Sequence, residues 1–301
     1  MNQFQAWMMA ARPRTLPLAL ASIGMGAFLA AAVSEFSWQV LALSALTTIF
    51  LQVLSNLAND YGDSVHGADS ADREGPSRAV QSGHISPQAM KRAMYFFAFL
   101  SFGSGIWLLW VALSGNQTLL LLFFVLGIAA ILAAITYTSG SHPYGYAGLG
   151  DISVLIFFGL VGVMGSYFLH TGEFAGQQLL PALSCGLFST AVLNVNNIRD
   201  IRTDKAAGKR SIPVRLGRDR AVVYHWVLLG LGVICSLLYV IFRYESVWQL
   251  LFLITLPLLF RNGRAVAKRK SARELDPYLK QMALTTLLYV LSFGTGQLLG
   301  Q

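Results

Sequence analysis

Nine apolar stretches, each near the length that crosses a bilayer, recur along this 301-residue chain. They lie at about 15–33, 39–59, 93–113, 118–138, 152–170, 179–197, 221–242, 246–260 and 282–299. About 20 apolar residues span the hydrocarbon core as a helix. Inside it the backbone finds no water, so helices and closed barrels are the only structures that satisfy their own amide groups there. The eighth stretch is the shortest. Charged residues make up 12% of the chain, about half the fraction of an ordinary soluble domain. The chain therefore reads as a polytopic, all-α membrane protein with no soluble domain large enough to fold separately.

The net charge of +8 could point to nucleic acid, but its distribution argues against that partner. Bases fall at the N-terminus (Arg12, Arg14), between the second and third spans (Arg73, Arg78, Lys91, Arg92), between the sixth and seventh (Arg199 to Arg220), and between the eighth and ninth (Arg261 to Lys280). The alternate loops are short and hold only Arg243. This is the positive-inside pattern. It predicts a cytoplasmic N-terminus and, after nine spans, a C-terminus on the outer side of the membrane. The first span is long for a cleavable signal and reads as an uncleaved anchor. Cys185 and Cys235 lie inside spans and form neither a disulfide framework nor a metal motif.

Acidic residues are scarce, yet two clusters stand at the ends of the second and sixth spans. One reads Asn56-Leu-Ala-Asn59-Asp60-Tyr-Gly-Asp63 and the other Asn196-Asn197-Ile-Arg-Asp200-Ile-Arg-Thr-Asp204. Ionisable groups are costly at such places, which makes them candidates for function. On a helix, Asn56, Asp60 and Asp63 fall within about 60° of one another. Asn196, Asp200 and Asp204, at i, i+4 and i+8, also share a face. The shared Asn-x-x-x-Asp pattern suggests two related helical bundles meeting around one site. Four carboxylates in one pocket suit Mg²⁺ ions, which are usually held by one or two carboxylates each plus substrate phosphates. Arg78, Lys205, Lys209 and Arg210 could neutralise the remaining phosphate charge. For a single Asp the plain alternative is a helix cap or a solvated loop charge, and for Asp69, Asp72 and Glu74 that alternative stays open. A third inner loop is rich in Gly and Tyr, running from Tyr137 through His142 and Tyr144 to Asp151. The fourth, basic without an acidic cluster, reads as topological.

At these residues the chain resembles the intramembrane aromatic prenyltransferases, whose signature is an Asn-Asp-x-x-Asp type motif after the second helix and Asp-x-x-x-Asp after the sixth. Here these are Asn59-Asp60-x-x-Asp63 and Asp200-x-x-x-Asp204. Ala11-Arg12-Pro13-Arg14-Thr15-Leu16-Pro17, Gly75-Pro-Ser-Arg78 with Gln81-Ser-Gly83, and Gly208-Lys-Arg-Ser-Ile-Pro-Val-Arg-Leu-Gly217 make it most similar to the branch that prenylates 1,4-dihydroxy-2-naphthoate in menaquinone synthesis. In the hydroxybenzoate branch a further Asp follows four residues after the first motif. Here Gly67 stands there, and the next acid is Asp69.

The resemblance covers essentially the whole chain. It implies one integral membrane prenyltransferase domain over 1–301, with nine transmembrane helices around a central cavity opening to the cytoplasmic side of a bacterial inner membrane. It implies polyprenyl diphosphate as donor, 1,4-dihydroxy-2-naphthoate as acceptor, and loss of CO₂ and diphosphate. Asp60, Asp63, Asp200 and Asp204 would hold Mg²⁺. Asn56 and Asn196 would orient those ligands, with Asn59 and Asn197 beside them. Arg78, Lys205 and Lys209 would bind diphosphate, and Tyr137, Tyr144 and Asp151 would border the aromatic acceptor. Two rivals remain: a sister enzyme using 4-hydroxybenzoate or homogentisate, and a secondary transporter. Transporters place charged sites near the bilayer midplane. No acidic or basic residue lies near the middle of any span here, which argues for an enzyme.

Overall fold

The computed structural model describes residues 2–65 and 78–301. Among these residues the secondary structure is entirely helical, and nine helices are long and apolar enough to cross a membrane. They are α1 (Gln3–Ala31), α2 (Trp38–Val65), α3 (Pro87–Leu113), α4 (Gln117–Thr136), α5 (Gly150–Thr171), α6 (Gly176–Arg199), α7 (Arg218–Phe242), α8 (Val247–Lys268) and α9 (Ala272–Leu299). The sequence reading of nine spans is borne out, including the eighth. That helix is longer than its apolar run because it continues to Lys268 through an amphipathic half.

Helix α1 is bent. Asn2 and Gln5 close a capping box over its first turn. Arg12 then adopts a left-handed backbone conformation (φ 49°) and Pro13 opens a 3₁₀ turn before the membrane half, Leu16–Ala31, begins. A proline tolerates this position because the first amide of a helix has no internal partner. Capping boxes also open α8, Ser246 with Gln249, and α9, Ser271 with Glu274.

Most helices pack on their neighbours in sequence, but α4 packs on α2 and α3 while α5 packs on α1 and α6, and α9 returns to pack on α1. Two large apolar clusters and two small ones result. One large cluster joins the first turns of α1 (Ala6, Ala10) to α2 (Leu54, Leu57) and α3 (Met90, Met94). The other gathers α1, α5, α6, α7, α8 and α9 around Phe188, Tyr289, Phe252 and Phe293. Its rings pack edge to face, with Phe188 and Tyr289 centroids 4.8 Å apart. Ser236 hydrogen-bonds the Tyr289 hydroxyl at 2.8 Å and the Ser184 hydroxyl at 2.7 Å. Lipid is as apolar as leucine, so packing and such interhelical hydrogen bonds hold membrane helices together. Helix α6 is the most enclosed, whereas α4 has no fully buried residue. The two motif-bearing helices, α2 and α6, thus belong to different clusters.

Candidate active site between two acidic helix ends

Helix α2 runs unbroken through Val65, so Asn56, Asp60 and Asp63 share a face as their spacing requires. Each has a different task. The Asn56 amide donates to the Ala11 carbonyl (2.9 Å) and the Thr15 hydroxyl (3.0 Å), tying the bend of α1 to the motif helix. The two Asp60 oxygens accept from the backbone amides of Ala79 and Val80, both at 3.1 Å. Asp63 is ion-paired with Arg78 through Oδ2, and its Oδ1 accepts from the Tyr146 hydroxyl at 2.8 Å. All three motif side chains are buried, as is Arg78.

The second motif departs from the continuous helix that its spacing implied. Helix α6 ends at Arg199. Asp200 sits at the break (φ −97°, ψ 11°), and a short helix, Ile201–Ala206, follows. Two i→i−4 backbone bonds persist across the break, Asp200 N to Asn196 O (3.0 Å) and Asp204 N to Asp200 O (2.8 Å). Arg199 donates to both Asp200 oxygens at 2.8 Å. It also donates to the Asn196 side-chain oxygen at 2.9 Å. Asp204 lies 3.4 Å from both the Lys209 ammonium and the Ser211 hydroxyl.

Lys209 is where the two motifs meet. Burial works against its charge, but Asp204, then Tyr137, Asp63 and Asp200 outweigh that and raise its pKa. The Asp204 pKa is also raised, first by burial and then by the charges of Asp200 and Asp63, against the pull of Lys209. Tyr137 is pushed up to about 12, chiefly by burial. Acids of both motifs therefore act on one lysine. Lys205 is different: it is exposed on Ile201–Ala206, and no hydrogen bond or ion pair among the described residues involves its ammonium.

The Gly- and Tyr-rich loop closes over this meeting point. Thr138 donates to Asn59 at 2.8 Å and to the Ala58 carbonyl at 3.0 Å. A Cβ on Gly62 would stand 2.3 Å from the Thr138 carbonyl oxygen, so only glycine lets loop and motif helix approach this closely. On the other side the Arg210 amide donates to the Tyr146 carbonyl at 2.9 Å. Gly148 has φ +83°, and a Cβ there would meet the Arg210 carbonyl at 2.2 Å. Tyr144 anchors the loop on the Ala133 carbonyl (2.9 Å) and stacks edge-on against Tyr137, centroids 5.3 Å apart. Asp151 is buried at the start of α5 and accepts from Tyr224 of α7 at 3.2 Å. His142 is exposed at the loop tip.

Among the described residues no three of Asp, Glu, His and Cys converge as a ready-made metal cluster, because each motif carboxylate is turned onto its own N–H or O–H donor. The donor set still fits a hard cation. A carboxylate has about four lone-pair directions, so one or two hydrogen bonds leave capacity for a metal. Asn197, one turn before the α6 break, keeps a buried side-chain oxygen with no partner among the described residues. A Mg²⁺ shared with substrate phosphates needs only one or two carboxylates. Asp69, Asp72 and Glu74 lie outside the described residues. Tyr146, Thr138, Ser211 and Arg199 were not singled out by spacing. Only the tyrosine content of the loop and the base preceding Asp200 pointed towards them.

A multi-pass membrane protein whose two acidic helix ends meet beneath one glycine-rich loop has the architecture of the intramembrane prenyltransferases. The chain belongs to the UbiA prenyltransferase family, whose profile matches residues 19–288. It is 46% identical over 301 residues to the 1,4-dihydroxy-2-naphthoate octaprenyltransferase of Haemophilus influenzae, covering 99% of this chain and 97% of that one. It is 45% identical over 300 residues to the Escherichia coli enzyme of the same name, covering 98% and 97%. Its fold matches the apo UbiA homologue of Aeropyrum pernix (TM-score 0.69, 16% identity, 96% and 98% covered). It also matches the Archaeoglobus fulgidus homologue bound to DMAPP and Mg²⁺ (TM-score 0.66, 18% identity, 96% and 99% covered).

Proposed function

We propose that this chain transfers a polyprenyl group from polyprenyl diphosphate to 1,4-dihydroxy-2-naphthoate, releasing CO₂ and diphosphate and giving demethylmenaquinol. The near full-length identity of 45–46% to two octaprenyltransferases of that acceptor carries this reading. Residues 1–301 are read as one integral membrane domain, in a bacterial inner membrane. The N-terminus is cytoplasmic, the C-terminus outside, and a central cavity opens to the cytoplasm. The distribution of bases supports that orientation.

In this reading the C–O bond from the prenyl carbon to diphosphate breaks, and a C–C bond forms to the ring carbon that carries the carboxylate. The electrons of the departing carboxylate restore the aromatic ring, so no strong general base is required. Asp60, Asp63, Asp200 and Asp204 would hold Mg²⁺, with Asn197 and Asn196 beside them. The metal would supply charge neutralisation for the leaving diphosphate. Lys209 and Arg78 bind diphosphate oxygens, each being a buried or largely buried cation already facing a motif carboxylate. In this reading Lys205, exposed on Ile201–Ala206, contributes less to diphosphate binding than Lys209. Asn56 holds the α1 bend and Asn59 the loop. Tyr137 and Tyr144 form an aromatic wall suited to a planar acceptor or an allylic cation, with Asp151 behind them.

The test is prenyl transfer in purified membranes with carboxyl-labelled dihydroxynaphthoate and polyprenyl diphosphate, with Mg²⁺ or with chelator. Chelator-sensitive release of labelled CO₂ with a lipid-soluble quinone product is expected. Transfer to another aromatic acid without CO₂ release would move the chain to a sister acceptor, and no transfer to any acceptor would overturn the reading.

A further inference from the structure

We propose that Arg199 is a positioning residue for the second acidic motif and that Asp276, on the last membrane helix, anchors it. The inference rests on the metal–diphosphate reading above. Arg199 stands between Asn196 and Asp200 without being one of the acids of the second motif, and its side chain is only 4% exposed. Four hydrogen bonds leave its guanidinium. Two go to the Asp200 oxygens (both 2.8 Å), one to Asn196 (2.9 Å) and one to Asp276 Oδ1 (2.7 Å). Asp276 lies in the second turn of α9, which packs against α6.

A planar fork that grips both oxygens of a carboxylate fixes the plane of that carboxylate as well as its place. Asp200 sits at a helix break, where the backbone alone gives its side chain little orientation. Arg199 supplies the missing constraint, and Asp276 supplies the second fixed point that keeps the fork from swinging with Asp200. The orientation of a motif carboxylate is thereby referred to α9, 76 residues further along the chain. Groups that hydrogen-bond metal-ligating carboxylates typically set metal affinity by about 10–100-fold.

The experiment follows the unfolding temperature of the purified full-length chain with an uncleavable geranyl thiolodiphosphate while Mg²⁺ is titrated. Arg199→Gln, Arg199→Lys, Asp276→Asn and Asp276→Glu are compared with wild type. Arg199→Gln and Arg199→Lys should need about 10–100-fold more Mg²⁺ for half-maximal stabilisation, since lysine has no fork. Asp276→Asn should need several-fold more, and Asp276→Glu should lie near wild type. A purely structural bridge would lower every unliganded unfolding temperature yet leave the Mg²⁺ midpoint unchanged, and that result overturns the inference. Asp276 is 40% exposed, so its variants carry the test if those at Arg199 fail to fold. Absence of any Mg²⁺ response in the wild type would instead overturn the metal reading itself, and this inference with it.

Discussion

Tyr146 donates its hydroxyl hydrogen bond to Asp63 at 2.8 Å, across 83 residues of sequence, while Arg78 holds the other oxygen of the same carboxylate. The loop between α4 and α5 is therefore part of the first motif's environment. Hydrogen bonds to charged groups contribute about 1.5–3 kcal/mol. Tyr146→Phe is expected to lower kcat/KM for prenyl diphosphate about 10–100-fold while the unfolding temperature changes little. Steady-state kinetics with a parallel melting curve check this. An unchanged kcat/KM would show that the loop contact does not matter to turnover.

The two lysines after the second motif should behave differently. Lys209 is paired with Asp204 and feels the charge of Asp63 from the first motif, and Lys205 is exposed. Truncating one partner of a buried charge pair costs about 2–5 kcal/mol. Lys209→Gln should thus lose about 100-fold or more in turnover, and Lys205→Gln should stay within about 2-fold, as expected for a surface change. Equal losses would contradict the placement of Lys209.

Gly62 admits no side chain. Overpacking typically costs about 1–3 kcal/mol, and here a Cβ would meet the backbone of Thr138 at 2.3 Å. Gly62→Ala is expected to lower both the unfolding temperature and the activity. Gly103→Ala, with nothing within 4 Å, should alter neither by that route. Gly159 and Gly162 are also tightly packed, with a Cβ there standing 2.7 Å from the Ala182 carbonyl and 2.8 Å from Ser22.

The pH dependence follows from Asp204, whose pKa is raised chiefly by burial. If its carboxylate form serves catalysis, turnover should fall, as pH is lowered, above the ordinary carboxylate pKa of about 4. The folded chain binds this proton more tightly than the unfolded chain, so protonation adds stability as pH falls and that contribution is lost as pH rises through the folded pKa. Lys209, also raised, keeps its ammonium over the same window. Turnover should therefore drop on the acid side without a matching drop in unfolding temperature. Parallel losses in one set of samples would mean that the enzyme is simply unfolding.

The sequence by itself determined the membrane-spanning class, the nine helices and the two acidic helix ends. Bilayer thickness imposes a length, and buried charge imposes a cost, and both are visible in a one-dimensional string. Asn56 shows the limit: its spacing matched the motif face, but the α1 bend lies within reach and takes its amide. The spacing of Asn196, Asp200 and Asp204 implied one helix, yet α6 ends at Arg199 and Asp200 interrupts it before a short second helix. Which lysine pairs with Asp204, which tyrosine reaches Asp63 and which distant acid pairs with Arg199 were decided by tertiary structure. Those contacts depend on how α4, α5 and α9 pack around α2 and α6, and hydrophobic periodicity carries no record of which helix becomes whose neighbour.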